Sequence, residues 1–194
     1  MLTGMPVPRK RVRTRRKPAR AAASRARAPK VARIASAFTR LRNQHRAMLV
    51  RLAHFEAALR PGPRARAAPA PLAAYRALAR WLAGSFAVHV AAEDGVLFPA
   101  LSRELPELSL TLEPLRDDHA ELGHMTASLQ QRLASPPGPE RDEQLAVLGR
   151  DIVDLLRLHI RNEERSVLDW SERVLPPATL RELRARLGRL LARS

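Results

Sequence analysis

Six residues of this 194-residue chain are of the types, and at the spacings, that hold transition-metal ions: His45, His89, Glu93, His119, His159 and Glu163. Glu93 stands four residues after His89, and Glu163 four after His159, so on a helix each pair shares a face one turn apart. Imidazole and carboxylate together suit first-row divalent ions. Four imidazoles and two carboxylates are too many ligands for one tetrahedral zinc and too rich in nitrogen for calcium or magnesium. They suit two ions bridged by the glutamates, with iron the best fit and manganese its rival. The chain has no cysteine, which excludes thiolate zinc sites, iron-sulfur clusters, disulfide scaffolds and cysteine nucleophiles.

Such a set works only if separate elements bring it together. Apolar residues recur at steps of three and four in four segments: Phe38, Leu41, Met48, Leu52, Phe55 and Leu59; Leu72, Tyr75, Leu82, Phe86, Val96 and Ala100; Leu112, Leu115, Leu122, Met125 or Thr126, Leu129 and Leu133; Leu145, Leu148, Ile152, Leu155, Val167 and Trp170. The six metal-type residues fall on these same stripes, one histidine to each segment. Proline clusters at 61–71, at Leu105-Pro106, at 135–139 and at 175–177 punctuate the segments. No alternating run long enough for a strand occurs. The expected fold is all-α: an up-down-up-down antiparallel four-helix bundle, with a short C-terminal helix whose Leu180, Leu183, Leu187, Leu190 and Leu191 lie against one end. Depth agrees across the segments. His45 and His89 both lie roughly 23 to 27 Å from the loop that joins their helices at 1.5 Å per residue, and the other connections give matching depths for Glu93, His119 and His159. An unpaired carboxylate in a bundle interior is costly enough that it pairs or binds metal, so the bland reading of six separate buried polar groups is the weaker one.

The formal charge is +16, from 35 Lys and Arg against 19 Asp and Glu, which raises nucleic acid, anionic membrane or acidic protein as partners. Twelve of the basic residues, and no acidic one, lie before residue 35, leaving 23 basic against 19 acidic residues in the remainder. The stretch PVPRKRVRTRRKPARAAASRARAPK has no aromatic residue and no amphipathic period, so it is expected to be disordered. The expected organisation is a basic tail over 1–33 and a helical domain over 34–194. Such a tail could bind nucleic acid without sequence preference and with strong salt dependence; it could equally be solubilising or a targeting segment. No apolar run approaches the roughly 18 residues of a membrane span, and a cytoplasmic location is the default expectation.

The residues NQHRAML around His45, HVAAEDGVLFPAL with His89 and Glu93, DDHAEL with His119 and HIRNEERSVL with His159 and Glu163 resemble the hemerythrin-like, HHE cation-binding family, from about Phe38 to Trp170. The resemblance implies a non-haem di-iron centre with oxo or hydroxo and carboxylate bridges. Members of that family use it for binding or sensing dioxygen, for nitric oxide chemistry, for iron sensing or for iron-sulfur cluster repair. Oxygen carriers have HxxxH on the third helix, whereas the residue four after His119 is Gly123, so a fifth histidine is missing unless His124 swings in. Carriers also place the last carboxylate at i+5, where Glu164 stands, leaving Glu163 and Glu164 as alternatives, with the stripe favouring Glu163. Asp94, at i+5 on the second helix, is expected to support a ligand or to face solvent. His54 falls off its stripe, and Tyr75 lies roughly 21 Å along its helix from His89. The expected function is a di-iron protein that binds or senses O2 or NO, or iron. The alternatives are a di-iron oxidoreductase of nitric oxide or peroxide detoxification or of cluster repair, and a nucleic-acid-associated protein acting through the tail. No nucleophile or cofactor-binding loop stands out, which favours metal or oxygen binding over catalysis.

Overall fold

The computed structural model describes residues 38–60 and 71–191; the expected basic tail, 1–33, lies outside them, as do 34–37, 61–70 and 192–194. The described residues form helices and short connections, with no strand among them. In chain order the helices are α1 (Thr39–Leu59), α2 (Leu72–Trp81), α3 (Ala87–Ala92), α4 (Phe98–Glu104), α5 (Ser109–Ala134), α6 (Pro139–Asn162), α7 (Asp169–Val174) and α8 (Pro177–Leu190).

Several of these join end to end. Widened π-helical turns at Leu82–Phe86 and Glu93–Leu97 link α2, α3 and α4, and one at Glu163–Leu168 links α6 to α7. The backbone stays right-handed helical through each junction, so 72–104 and 139–174 are two continuous rods. The first ends where Leu105 leaves the helical region before Pro106, and the second where Leu175 turns extended before Pro176-Pro177.

Packing follows the apolar spacing. On α1 the buried residues are Leu41, His45, Met48, Leu52 and Phe55, the expected stripe. On the rod 72–104 the expectation fails in part beyond Glu93: Ala100 is buried as expected, but Leu97 and Leu101 are buried too, whereas Val96 is only half-buried. The π-helical turn inserts an extra residue there, which rotates the following helix and moves the centre of the buried face toward Leu97 and Leu101. On α8, Leu183, Leu187 and Leu191 are buried while Leu190, expected inside, is 40% exposed, because it lies off the four-residue stripe of the other three.

The apolar interior is two clusters. One gathers Phe38, Leu41, Leu97, Leu101, Leu112, Leu115, Leu168, Leu183, Leu187 and Leu191; the other gathers Met48, Leu52, Phe55, Tyr75, Phe86, Leu122, Leu129, Leu145 and Leu156. Along each of α1, 72–104, α5 and 139–174 the division falls at the histidines and glutamates. Each cluster contributes the usual hydrophobic stabilisation, about 1.5–3 kcal/mol for a fully buried leucine or phenylalanine, and the two together clamp the polar layer between them. The second cluster is tight enough to dictate a glycine. A Cβ on Gly149 would sit 2.9 Å from Tyr75 and 3.0 Å from Phe55, whose rings meet edge to face at 5.3 Å.

Ion pairs tie α1 to the rod 139–174 on both sides of the polar layer. Arg42 reaches Asp169 at 2.6 Å and Glu172 at 2.9 Å, and Arg157 grips Glu56 with both nitrogens at 2.8 and 2.6 Å. No described helix is long and apolar enough to cross a membrane.

Candidate metal centre

His45 comes from the middle of α1, His89 from α3, His119 from α5 and His159 from the last turn of α6. Glu93 and Glu163 are each the first residue of a π-helical turn. Such turns recur at functional sites because they re-aim side chains that a regular helix would place elsewhere. Here the turn lets two consecutive acidic residues serve two different places. Glu93 points into the layer while Asp94 reaches His119, and Glu163 points inward while Glu164 reaches His45.

All four imidazoles turn Nε2 inward. The Nε2 atoms of His45 and His89 are 3.2 Å apart, and those of His119 and His159 are also 3.2 Å apart. Glu93 lies between the two pairs, with Oε1 2.7 Å from His89 Nε2 and Oε2 3.2 Å from His119 Nε2. Glu163 Oε2 lies 3.1 Å from His45 Nε2. Two groups of potential ligand atoms result: His45, His89, Glu93 and Glu163 in one, and Glu93, His119 and His159 in the other. Glu93 belongs to both.

Behind each ring a second polar residue accepts a hydrogen bond from Nδ1. His45 donates to Glu164 at 3.1 Å, His89 to the Gln44 carbonyl at 2.9 Å, His119 to Asp94 at 3.0 Å and His159 to Asp118 at 3.3 Å. A carboxylate or amide oxygen can only accept, so Nδ1 carries a proton, and it is Nε2, with its lone pair once the ring is neutral, that faces the centre. This is the arrangement that orients metal-binding histidines and raises their basicity. Phe98 stacks on His119 with ring planes 7° apart, and Phe86 stacks on His89 at 24°.

Burial makes the electrostatics severe. His45, Glu93, His159 and Glu163 are fully buried, and the two carboxylates have only ring nitrogens of the histidines near their oxygens, at 2.7 to 3.2 Å. Burial disfavours charge on His45, yet the adjacent carboxylates of Glu163 and Glu93 outweigh it and push the imidazole up to about 10. His119 is pushed up to about 9 against its own burial by Asp94 and Glu93. His159 goes the other way, down to about 3, through burial and the neighbouring imidazoles despite the pull of Glu93. Burial would raise Glu93, but His89, His119 and His45 hold it well below the usual carboxylate range. Glu163 is raised by burial and by the charge of Glu93.

Two buried carboxylates packed against four imidazole nitrogens are satisfied by cations, or, without them, by the protons on His45 and His119. Two nitrogens bound at right angles to one ion at about 2.1 Å would stand roughly 3.0 Å apart, close to the spacing within each pair. The donor set therefore fits metal cations. The family model of the hemerythrin HHE cation-binding domain matches residues 36–171. The chain belongs to that family. No curated protein and no solved structure matches it.

Within this hemerythrin HHE domain the structure brings all six expected residues into one layer. Of the two glutamates left open by sequence, Glu163 faces the centre and Glu164, partly exposed, stands behind His45. Asp94 likewise stands behind His119 rather than in the centre. His124 does not swing in: its side chain is 82% exposed and nearest to Glu121. His54 is exposed, and Tyr75 is buried against Phe55 within the second apolar cluster. Gln44 and Asp118 escaped sequence reasoning. Each immediately precedes a histidine of the set, but its partner is the histidine of another rod, 45 and 41 residues away in sequence. The only available signal was the recurrence of a polar acceptor just before His45 and again just before His119.

Proposed function

We propose that this hemerythrin HHE domain is an up-down-up-down four-helix bundle holding two non-haem iron ions, and that it binds or senses a small diatomic molecule such as dioxygen or nitric oxide. The observation that carries the reading is the pair of ligand groups sharing Glu93, each with two Nε2 atoms facing one another across 3.2 Å. One ion would be held by His45, His89, Glu163 and Glu93, and the other by His119, His159 and Glu93. Manganese suits the same donors. Iron bound there would supply reversible redox change and affinity for diatomic ligands.

The chain's own residues account for the rest. The Nδ1 hydrogen bonds fix each imidazole as an inward-facing donor, so no ring has to reorient on binding. The two apolar clusters keep bulk water from the layer, which strengthens every electrostatic contact within it. Four histidines and only two carboxylates give the centre little anionic charge, which suits reversible binding better than strongly oxidising chemistry.

Metal analysis of the purified protein, with absorption spectra in air and after anaerobic reduction, tests this. About two irons per chain, and near-ultraviolet bands that change with oxygen or nitric oxide, are expected. A wild-type chain that retains no iron, or one whose spectrum ignores both gases, overturns the reading.

A further inference from the structure

The two ligand groups are unequally supplied. The His45–His89 group has four donors and the His119–His159 group has three. The poorer group is also the one that reaches the surface. His119 is 6% exposed, against 0 or 1% for the other five residues of the set. Its ring forms part of a groove of about 270 Å³ between the rod 72–104 and α5, lined by Ala83, Phe86, Val90, Leu122 and Gly123 among others. None of the lining residues other than His119 can carry a charge. The one hydroxyl, on Thr126, donates to the Leu122 carbonyl at 2.7 Å. Gly123, one turn beyond His119 on α5, leaves the wall open: a Cβ placed on it meets no atom within 4 Å. On the other half, among the described residues, the nearest groove stops short of the histidines. A groove of about 200 Å³ with Arg51 and Trp81 on its walls comes only as far as Gln44, whose amide is engaged with His89 Nδ1.

We propose that a small uncharged molecule enters through the apolar groove at Gly123 and binds on the His119–His159–Glu93 side of the centre, the groove selecting neutral diatomics over anions. Uncharged walls give an anion nothing in exchange for its hydration shell, whereas a neutral diatomic loses little on leaving water. With three donors against four, that side leaves the more room for an added ligand, and it is the side that the groove reaches. The inference rests on the two-ion reading, while the groove itself can be tested without metal.

Nitric oxide, neutral, and azide, anionic, are the probes for the iron-loaded protein, with association followed by stopped-flow absorption. Gly123→Leu and Gly123→Phe plug the groove, and since glycine is the poorer helix former both should keep α5 intact. Ala47→Phe, in the Gln44 groove, is the control. Nitric oxide association should slow roughly tenfold or more in Gly123→Phe, and less in Gly123→Leu, with iron content unchanged; Ala47→Phe should stay within about twofold of wild type. Gly123→Lys, which narrows the groove as Gly123→Leu does but adds a positive charge, should raise the azide-to-nitric oxide rate ratio about tenfold over Gly123→Leu at low salt. In the metal-free protein, xenon, an apolar probe, should shift the methyl resonances of Val90 and Leu122, and Gly123→Phe should abolish the shift. Wild-type association in both plugged variants, slowing by Ala47→Phe alone, or a xenon shift that survives Gly123→Phe overturns the proposal. A chain that loads one ion overturns the two-ion reading instead, and the xenon measurement still decides the groove.

Discussion

The His45–His89 half and the His119–His159 half of the centre are built to one scheme. In each, a histidine faces that of the following HxxxE motif across 3.2 Å, and the residue before the first histidine, Gln44 or Asp118, accepts a hydrogen bond from the second. The residue after each glutamate crosses over: Asp94 supports His119, and Glu164 supports His45. The halves are interlocked, yet they differ twice. Gln44 is a neutral amide where Asp118 can be a carboxylate, and Glu163 lies with His45 while Glu93 is common to both. The lesson is that two copies of one motif need not make two equal positions, because the shared carboxylate and the backing residue decide how much charge each receives.

The most damaging way to break this comparison is to remove what the halves share. Glu93→Gln should take bound iron from about two to well under one per chain after dialysis, whereas Glu163→Gln should weaken only the His45 side and leave about one. Equal losses in the two variants would show that the division into four and three donors is wrong. A finer test exchanges the backing residues. Asp118→Asn should cost about 10–100-fold in affinity for one ion, and Gln44→Glu should raise affinity for the other. Titration calorimetry on each variant reads both, and in the iron-loaded Gln44→Glu protein the two Mössbauer doublets should draw together.

Proton release offers a third test. His45 at about 10 and His119 at about 9 lie above neutral pH, so each half of the metal-free centre holds a proton that an ion must displace. His159, at about 3, stays neutral and contributes none. Loading at pH 7 should therefore release about two protons per chain, and apparent affinity for each ion should fall roughly tenfold per pH unit from pH 8 to 6. Calorimetry in buffers of different ionisation enthalpy counts them, and a release near zero would contradict the charges assigned to both halves. The smallest effect should come from the frame. Arg157→Ala removes the half-exposed pair with Glu56 and should cost about 0.2–1 kcal/mol in urea unfolding, with no change in the ratio of the two ion affinities.

How much of this was legible in the sequence differs by kind of residue. The six inward residues could be found because burying a charged or imidazole side chain on an apolar stripe is costly, and the cost marks them. The stripe on α1 holds from Leu41 to Phe55, and Leu59 at its end is half-buried. The pattern failed after Glu93, where Leu97 is buried in place of Val96, because a π-helical turn adds a residue that a fixed period of 3.6 cannot anticipate. The backing residues were hidden for another reason. Gln44, Asp94, Asp118 and Glu164 are half-exposed polar residues of ordinary appearance, and their role depends on which helix stands opposite.

By itself the sequence determined the helical character of the described segments, the absence of thiolate chemistry and the identity of the six polar residues in the interior. Each follows from side-chain type and from spacing along one helix. Only the tertiary structure decided that Glu164 stands behind His45, that Glu93 is the shared carboxylate, and that the His119 side opens to a groove at Gly123. Those are relations between helices, set by the rotation that each π-helical turn imposes and by the packing of one rod against the next, and no period along a single chain contains them.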